Sequence, residues 1–242
     1  MNDRPVIQCV LKGADMDKKR ILCFGDSNTW GVIPRWYETT VPSDRYDIHT
    51  RWPQVMAAQL GDNYEIIEEG LGGRTTIYDL PGNPGKNGEA YLLPCLQTKR
   101  PLDMVILMLG TNDLHMARPL KEEELGNGIR RLIELVQCHP DCGRGFETAK
   151  ILVLAPIEVW PSDPNGRTSV YPRFYGEWAT HLSRLFPKVY KEIADEYGCY
   201  FLNAALYAKP SLGDGVHMLP EGHIALGNAV AKKVEEIFAE NK

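Results

Sequence analysis

Residues 104–113 read MVILMLGTND. Met104–Leu109 is apolar without a break, and Gly110 ends it. A strand with one wet face would alternate. An unbroken run of this length, bounded by a turn residue, reads as a strand covered on both faces, the condition of a parallel sheet. The polar group Gly110-Thr111-Asn112-Asp113 then falls where this strand leaves the sheet. Four further segments read as strands: Ile21–Phe24 stopped by Gly25, Tyr64–Glu68 closed by Gly70-Leu71-Gly72-Gly73, Ile151–Ala155 stopped by Pro156, and Cys199–Leu202.

Helical spacing separates these runs. Trp52–Leu60 ends at Gly61, a suitable C-cap, and a short helix is predicted at Ala90–Leu96. Glu122–Gln137 places Leu125, Ile129, Leu132, Ile133 and Val136 on one side of a helix. Phe174–Tyr197 is predicted to be helical, with Pro187 kinking or interrupting it. Pro220–Glu240 opens with proline in its first turn. Residues 28–50 and 157–172 are predicted as long loops. Strands alternating with helices imply a parallel sheet with helices on both faces. Without a repeat or a break in composition, one domain is expected over residues 18–242. Residues 1–17 read as an N-terminal extension, with Met16 as an alternative start.

Composition narrows the function classes. The 242 residues hold 27 basic and 32 acidic side chains, a net charge of -5, which argues against a non-specific nucleic-acid binder. Mean hydropathy is -0.30, and no apolar run reaches the ~18 residues of a membrane span. Residues 1–20 have no apolar stretch long enough for a secretion signal, so a cytoplasmic location is expected. Cys9, Cys23, Cys95, Cys138, Cys142 and Cys199 are scattered, as reduced thiols would be. In CHPDC, Cys138, His139 and Cys142 supply too few ligands for a metal site, so the segment reads as a loop closing a helix.

In a parallel sheet, ligands bind outside the carboxyl ends of the strands. The segments there are Gly25-Asp26-Ser27-Asn28-Thr29, Gly70–Arg74, Gly110–Asp113 and Asp214-Gly215-Val216-His217. A serine becomes a nucleophile when a base takes its proton and an acid orients that base. Ser27, His217 and Asp214 can fill these roles, and the spacing of Asp214 and His217 lets one turn present both. An oxyanion needs preorganised donors, which the N–H groups of Ser27 and Gly73 and the Asn112 carboxamide can supply. Taken singly, each segment also reads as an ordinary turn; their joint position after successive strands favours chemistry. Asp26 and Asp113 read as loop buttresses, His223 as a helix-face residue, and His115 as a pocket neighbour. Trp30, Trp36, Tyr37, Trp160 and Tyr171 either line a pocket or pack the loops. Arg74 either meets an anionic substrate group or forms a surface salt bridge. The Gly-x-Ser-x-Gly elbow is missing, since Thr29 follows Asn28. So are the phosphate-binding glycine motifs.

These residues carry a resemblance. ILCFGDSNTWG (21–31), EEGLGGRTT (68–76), MLGTNDLHM (108–116) and DGVHMLPEGH (214–223) resemble the four blocks of the SGNH hydrolases, or GDSL esterases/lipases. RWPQVMAAQL (51–60), NGEAYLLPCL (87–96) and LDMVILMLGTND (102–113) are similar to the bacterial arylesterase/acyltransferase branch. The resemblance implies a flavodoxin-like three-layer α/β/α sandwich with a five-stranded parallel sheet. It implies Ser27 as nucleophile, His217 as base, Asp214 as orienting acid, and Ser27, Gly73 and Asn112 as the oxyanion hole. It further implies a small-molecule ester substrate with a short acyl group, no metal or organic cofactor, and homo-oligomerisation. Hydrolysis, acyl transfer to an alcohol, and deacetylation of a carbohydrate or metabolite all use this set. A silent binding module or a flavodoxin-like cofactor binder are rivals from other classes. Asn28 departs from the family, many of whose members are apolar there. It either changes the polarity beside Ser27 or bonds within its loop; Asn28, Trp30, Arg74 and His115 are the candidate pocket lining.

Overall fold

Consecutive residues of the first strand, β1 (Lys19–Gly25), feed two different cores. Leu22 and Phe24 pack on one side of the sheet, Ile21 and Cys23 on the other. The same division recurs in β3 (Met104–Met108), where Val105 and Leu107 oppose Ile106 and Met108. It recurs again in β4 (Lys150–Ala155), where Ile151 and Val153 oppose Leu152 and Leu154. Side chains alternate across a strand, so a chain buried on both faces must be apolar at every position. β2 (Tyr64–Gly70) and β5 (Tyr200–Asn203) complete a five-stranded, wholly parallel sheet in the order β2-β1-β3-β4-β5. The structure is a computed structural model that describes residues 18–34, 44–160 and 176–240.

The helices form the two outer layers. α1 (Ser27–Trp30) is a single turn after β1. α2 (Trp52–Leu60) and α6 (Pro220–Ala239) cover one face through Trp52, Met56, Leu226, Val230 and Val234. α3 (Gly88–Lys99), α4 (Asn127–Gln137) and α5 (Glu177–Glu196) cover the other through Leu92, Leu96, Ile129, Leu132, Phe186 and Tyr190. The strand order is flavodoxin-like, and its reversal between β1 and β3 opens the ligand crevice at their carboxyl ends. No helix among the described residues is long and apolar enough to cross a membrane.

The structure differs from the sequence expectation in three places. Residues 28–50 do not begin as a loop: Ser27–Trp30 winds into α1, with the Asp26 carboxylate accepting from the Asn28 N–H. The expected helix Glu122–Gln137 is divided into a 3-10 turn (Glu122–Glu124) and α4. Gly126 lies at the break, pressed on α5 so closely that a Cβ there would come within 2.5 Å of Ile193 Cδ1. Pro187, in contrast, does not interrupt its helix, which runs unbroken as α5. Phe186 and Tyr190, on either side of it, are buried against the sheet, and tertiary packing outweighs the one lost backbone bond. Trp36, Tyr37, Tyr171, Cys9 and the N-terminal extension lie outside the described residues.

Candidate active site

The turn that carries Ser27 depends on close packing. A Cβ at Gly25 would lie 2.0 Å from Thr29 Oγ1, and one at Gly70 would lie 2.2 Å from the Trp30 nitrogen. Both positions must be glycine for α1 to seat on the ends of β1 and β2. Asp26 stabilises the turn through its 2.9 Å bond from the Asn28 N–H. Burial pushes the Asp26 carboxyl up to about 6, against the opposing pull of that bond and of His217 and Arg74.

Ser27, His217 and Asp214 form one hydrogen-bonded chain. His217 Nε2 lies 2.9 Å from Ser27 Oγ, and His217 Nδ1 lies 2.7 Å from Asp214 Oδ2. The other Asp214 oxygen accepts from the Val216 and His217 amides at 3.0 and 2.9 Å. Burial alone would raise this carboxyl. The hydrogen bond from His217 and the two amides outweigh it and hold the group below its usual value, so it stays ionised. An ionised carboxylate at Nδ1 fixes the imidazole proton there and leaves the Nε2 lone pair facing the serine hydroxyl. The arrangement can therefore take the proton from Ser27 as its oxygen attacks an electrophile.

The loops after β2 and β3 meet beside it. Arg74 carbonyl accepts from Asn112 Nδ2 at 3.0 Å. Gly73 adopts φ +78°, a left-handed conformation suited to glycine. Among the described residues, no hydrogen bond uses the N–H of Ser27 or of Gly73. Asp113 does not brace its own loop, as the sequence suggested. It reaches across to Thr76, accepting from its N–H at 2.8 Å and its hydroxyl at 2.6 Å. Asp113 thus fixes the loop that follows Gly73, and Thr76 is a contributor that sequence reading missed.

The candidate pocket-lining residues make contacts of their own. Arg74 is buried, not on the surface. Its guanidinium donates to the Gly25 and Glu69 carbonyls and lies over the Phe24 ring, 4.2 Å from its centroid. It ties the exits of β1 and β2 together. The Asn28 side chain does not bond within its loop: the carboxamide bridges to Val216 and Met218. The Trp30 carbonyl accepts from Arg45, whose guanidinium lies over the indole at 5.1 Å. His115 Nδ1 accepts from the Ala117 N–H at 3.0 Å, and burial lowers its pKa. The Trp160 backbone N–H donates to the Gly215 carbonyl at 2.9 Å, and its indole N–H donates to Glu158 at 2.8 Å. His223 faces inward from α6, with Nδ1 toward the Trp52 N–H at 3.4 Å and its ring against Tyr46. Burial pushes its pKa down to about 3, so it stays neutral. His139 bonds to the Leu135 carbonyl at the end of α4.

A flavodoxin-like sheet with a serine–histidine–aspartate chain at its switch point has the construction of a serine hydrolase. The chain belongs to the GDSL-like lipase/acylhydrolase family, whose model matches residues 23–225, and is a carboxylic ester hydrolase. It is 38% identical to a carbohydrate acetylesterase from Sinorhizobium meliloti, covering 91% of this chain and 100% of that one with a TM-score of 0.81. It is 35% identical to the aryl esterase of M. smegmatis, covering 90% and 99% with a TM-score of 0.80. A carbohydrate acetylesterase family member from Sinorhizobium meliloti is 30% identical over 91% and 99%, with a TM-score of 0.81. No curated protein sequence matches the chain. The resemblance read from the four motifs is therefore a family membership.

Proposed function

We propose that the chain hydrolyses short-chain, acetyl-type esters through an acyl-enzyme on Ser27. The observation that carries this reading is the unbroken chain from Ser27 Oγ through His217 to Asp214, at 2.9 and 2.7 Å. Ser27 Oγ attacks the ester carbonyl while His217 Nε2 takes its proton. The carbonyl oxygen becomes an oxyanion, met by the N–H groups of Ser27 and Gly73 and by the Asn112 carboxamide. His217 then protonates the departing alkoxide, and the alcohol leaves. Water repeats the attack on the acyl-serine, giving up its proton to His217, and the acid and free serine are released. An alcohol in place of water gives acyl transfer by the same steps.

The 38% identity to a carbohydrate acetylesterase favours a second reading, in which the acetyl group is removed from a sugar. A panel of aryl acetates and O-acetylated sugars, with and without alcohol acceptors and with products identified, tests all three. Faster acetate release from the sugars selects deacetylation, and a new ester with added alcohol selects transfer. Fluorophosphonate labelling tests the nucleophile. The wild-type chain should label and Ser27→Ala should not; equal labelling of both would overturn the reading.

A further inference from the structure

We infer that Asn28 is a positioning residue: its carboxamide fixes the distance between the serine turn and the catalytic base. This rests on the proposed roles of Ser27 and His217. Asn28 Nδ2 donates to the Val216 carbonyl at 3.1 Å, and Asn28 Oδ1 accepts from the Met218 N–H at 3.1 Å. Val216 and Met218 are the two neighbours of His217. One side-chain amide thus brackets the base as a strand residue brackets its partner in a parallel ladder, taking the carbonyl before it and the N–H after it.

The bracket does what the other contacts cannot. Among the described residues, the hydrogen bonds between 26–31 and 214–218 are these two and the reacting pair itself, Ser27 Oγ with His217 Nε2. The reacting pair breaks when Ser27 is acylated, so it cannot hold the base in place through the cycle. Asp214 orients the imidazole but lies three residues from it on the same segment. Asn28 remains joined throughout, and it is rigid where it stands. It is buried, it adjoins Ser27, and its N–H is held by Asp26 at 2.9 Å. A leucine there can neither donate nor accept. An ionised aspartate accepts from Met218 but sets a negative oxygen against the Val216 carbonyl; a protonated one donates to it again.

The test measures fluorophosphonate labelling rate, kcat and KM for wild type, Asn28→Leu and Asn28→Asp, with rates normalised to folded protein. Misplacing a reacting group by about 1 Å costs up to ~10²-fold. Asn28→Leu should therefore label roughly ten- to a hundredfold more slowly. Its KM for a short acetate ester should stay near the wild-type value, because both ends of the carboxamide are engaged by Val216 and Met218. In Asn28→Asp the deficit should shrink as pH falls, because the protonated carboxyl regains the bond to Val216. The ratio to wild type is taken at each pH, because Asp26, Asp214, His217 and Arg74 face the same site in both proteins. Labelling of Asn28→Leu at the wild-type rate, or a deficit in Asn28→Asp that does not vary with pH, overturns the inference. If Asn28→Leu does not fold, the pH course of Asn28→Asp decides alone. Ser27→Ala separates the two levels: if it labels, the reading of the nucleophile fails, and if it does not, a failure belongs to Asn28 alone.

Discussion

Replacing Asp113 with asparagine is expected to make stability less dependent on pH. Asp113 is buried, and among the described residues its carboxyl oxygens accept from the Thr76 N–H and hydroxyl at 2.8 and 2.6 Å. Burial pushes the group up from 3.8 to about 7 against the pull of these bonds. Folding therefore favours its protonated form. Its contribution to stability is complete below the unfolded value of 3.8 and is lost as pH rises to about 7. At about 1.36 kcal/mol per pKa unit, the whole shift is worth ~4 kcal/mol, of which about 2–3 kcal/mol falls between roughly pH 5 and pH 8. Asparagine has the same shape and no charge. Its oxygen can accept from the Thr76 N–H while its nitrogen donates to the hydroxyl, which reverses its role. Asp26 titrates over the same window and its charge acts on Asp113, so the difference between the proteins reports residue 113 together with that coupling. Urea unfolding of both proteins across this range gives that difference. The variant should gain about 2–3 kcal/mol on the wild type from the acid to the alkaline end. Any constant offset from the exchanged hydrogen bonds leaves this slope untouched. A difference flat to within about 0.5 kcal/mol, well inside the expected change, would refute the argument that burial controls this carboxyl.

Three other substitutions probe the site and scaffold. Asn112→Ala removes one oxyanion donor and should lower kcat by ~10²–10³ with little change in KM, read from steady-state kinetics on an aryl acetate. Asp214→Asn keeps the shape but favours the wrong imidazole tautomer, and should lower kcat by up to ~10⁴ while leaving the thermal midpoint within a few degrees. Gly73→Ala places a Cβ at φ +78° and 3.1 Å from Asn83 Nδ2, so unfolding should show a loss of about 1–2 kcal/mol and kcat should fall as the N–H moves.

The features that were legible in the sequence are those whose cause is local. An unbroken run such as Met104–Met108 states that both faces of its strand are covered, and the glycines after it state where the chain must turn. The acid and base are spaced to meet within one turn, so Asp214 and His217 could be paired on sight. Ser27 joined them because the fold class sends the ends of the strands to one rim. Gly126 and Pro187 show where local reading fails. Neither residue reports what it packs against, and it is α5 that breaks one helix at Gly126 while sheet packing carries the other through Pro187.

The surface salt bridge expected of Arg74 and the within-loop bond expected of the Asn28 side chain are absent among the described residues for a related reason. An arginine after a glycine turn reads as a surface residue unless the rings that sheath it are known, and Phe24 and Tyr91 come from different elements. Asn28 meets its partner 188 residues away, and no local pattern encodes such a bond. Both side chains end on backbone carbonyls, which every residue has, so the partner's identity leaves no mark in the sequence. Backbone-directed contacts of this kind join the loops that the strands merely bring close. Arg74 links the exits of β1 and β2, its carbonyl holds Asn112 after β3, and Asn28 links the serine turn to the base. The reacting residues follow from which strand each segment leaves; their spacing relative to one another follows from these cross-links.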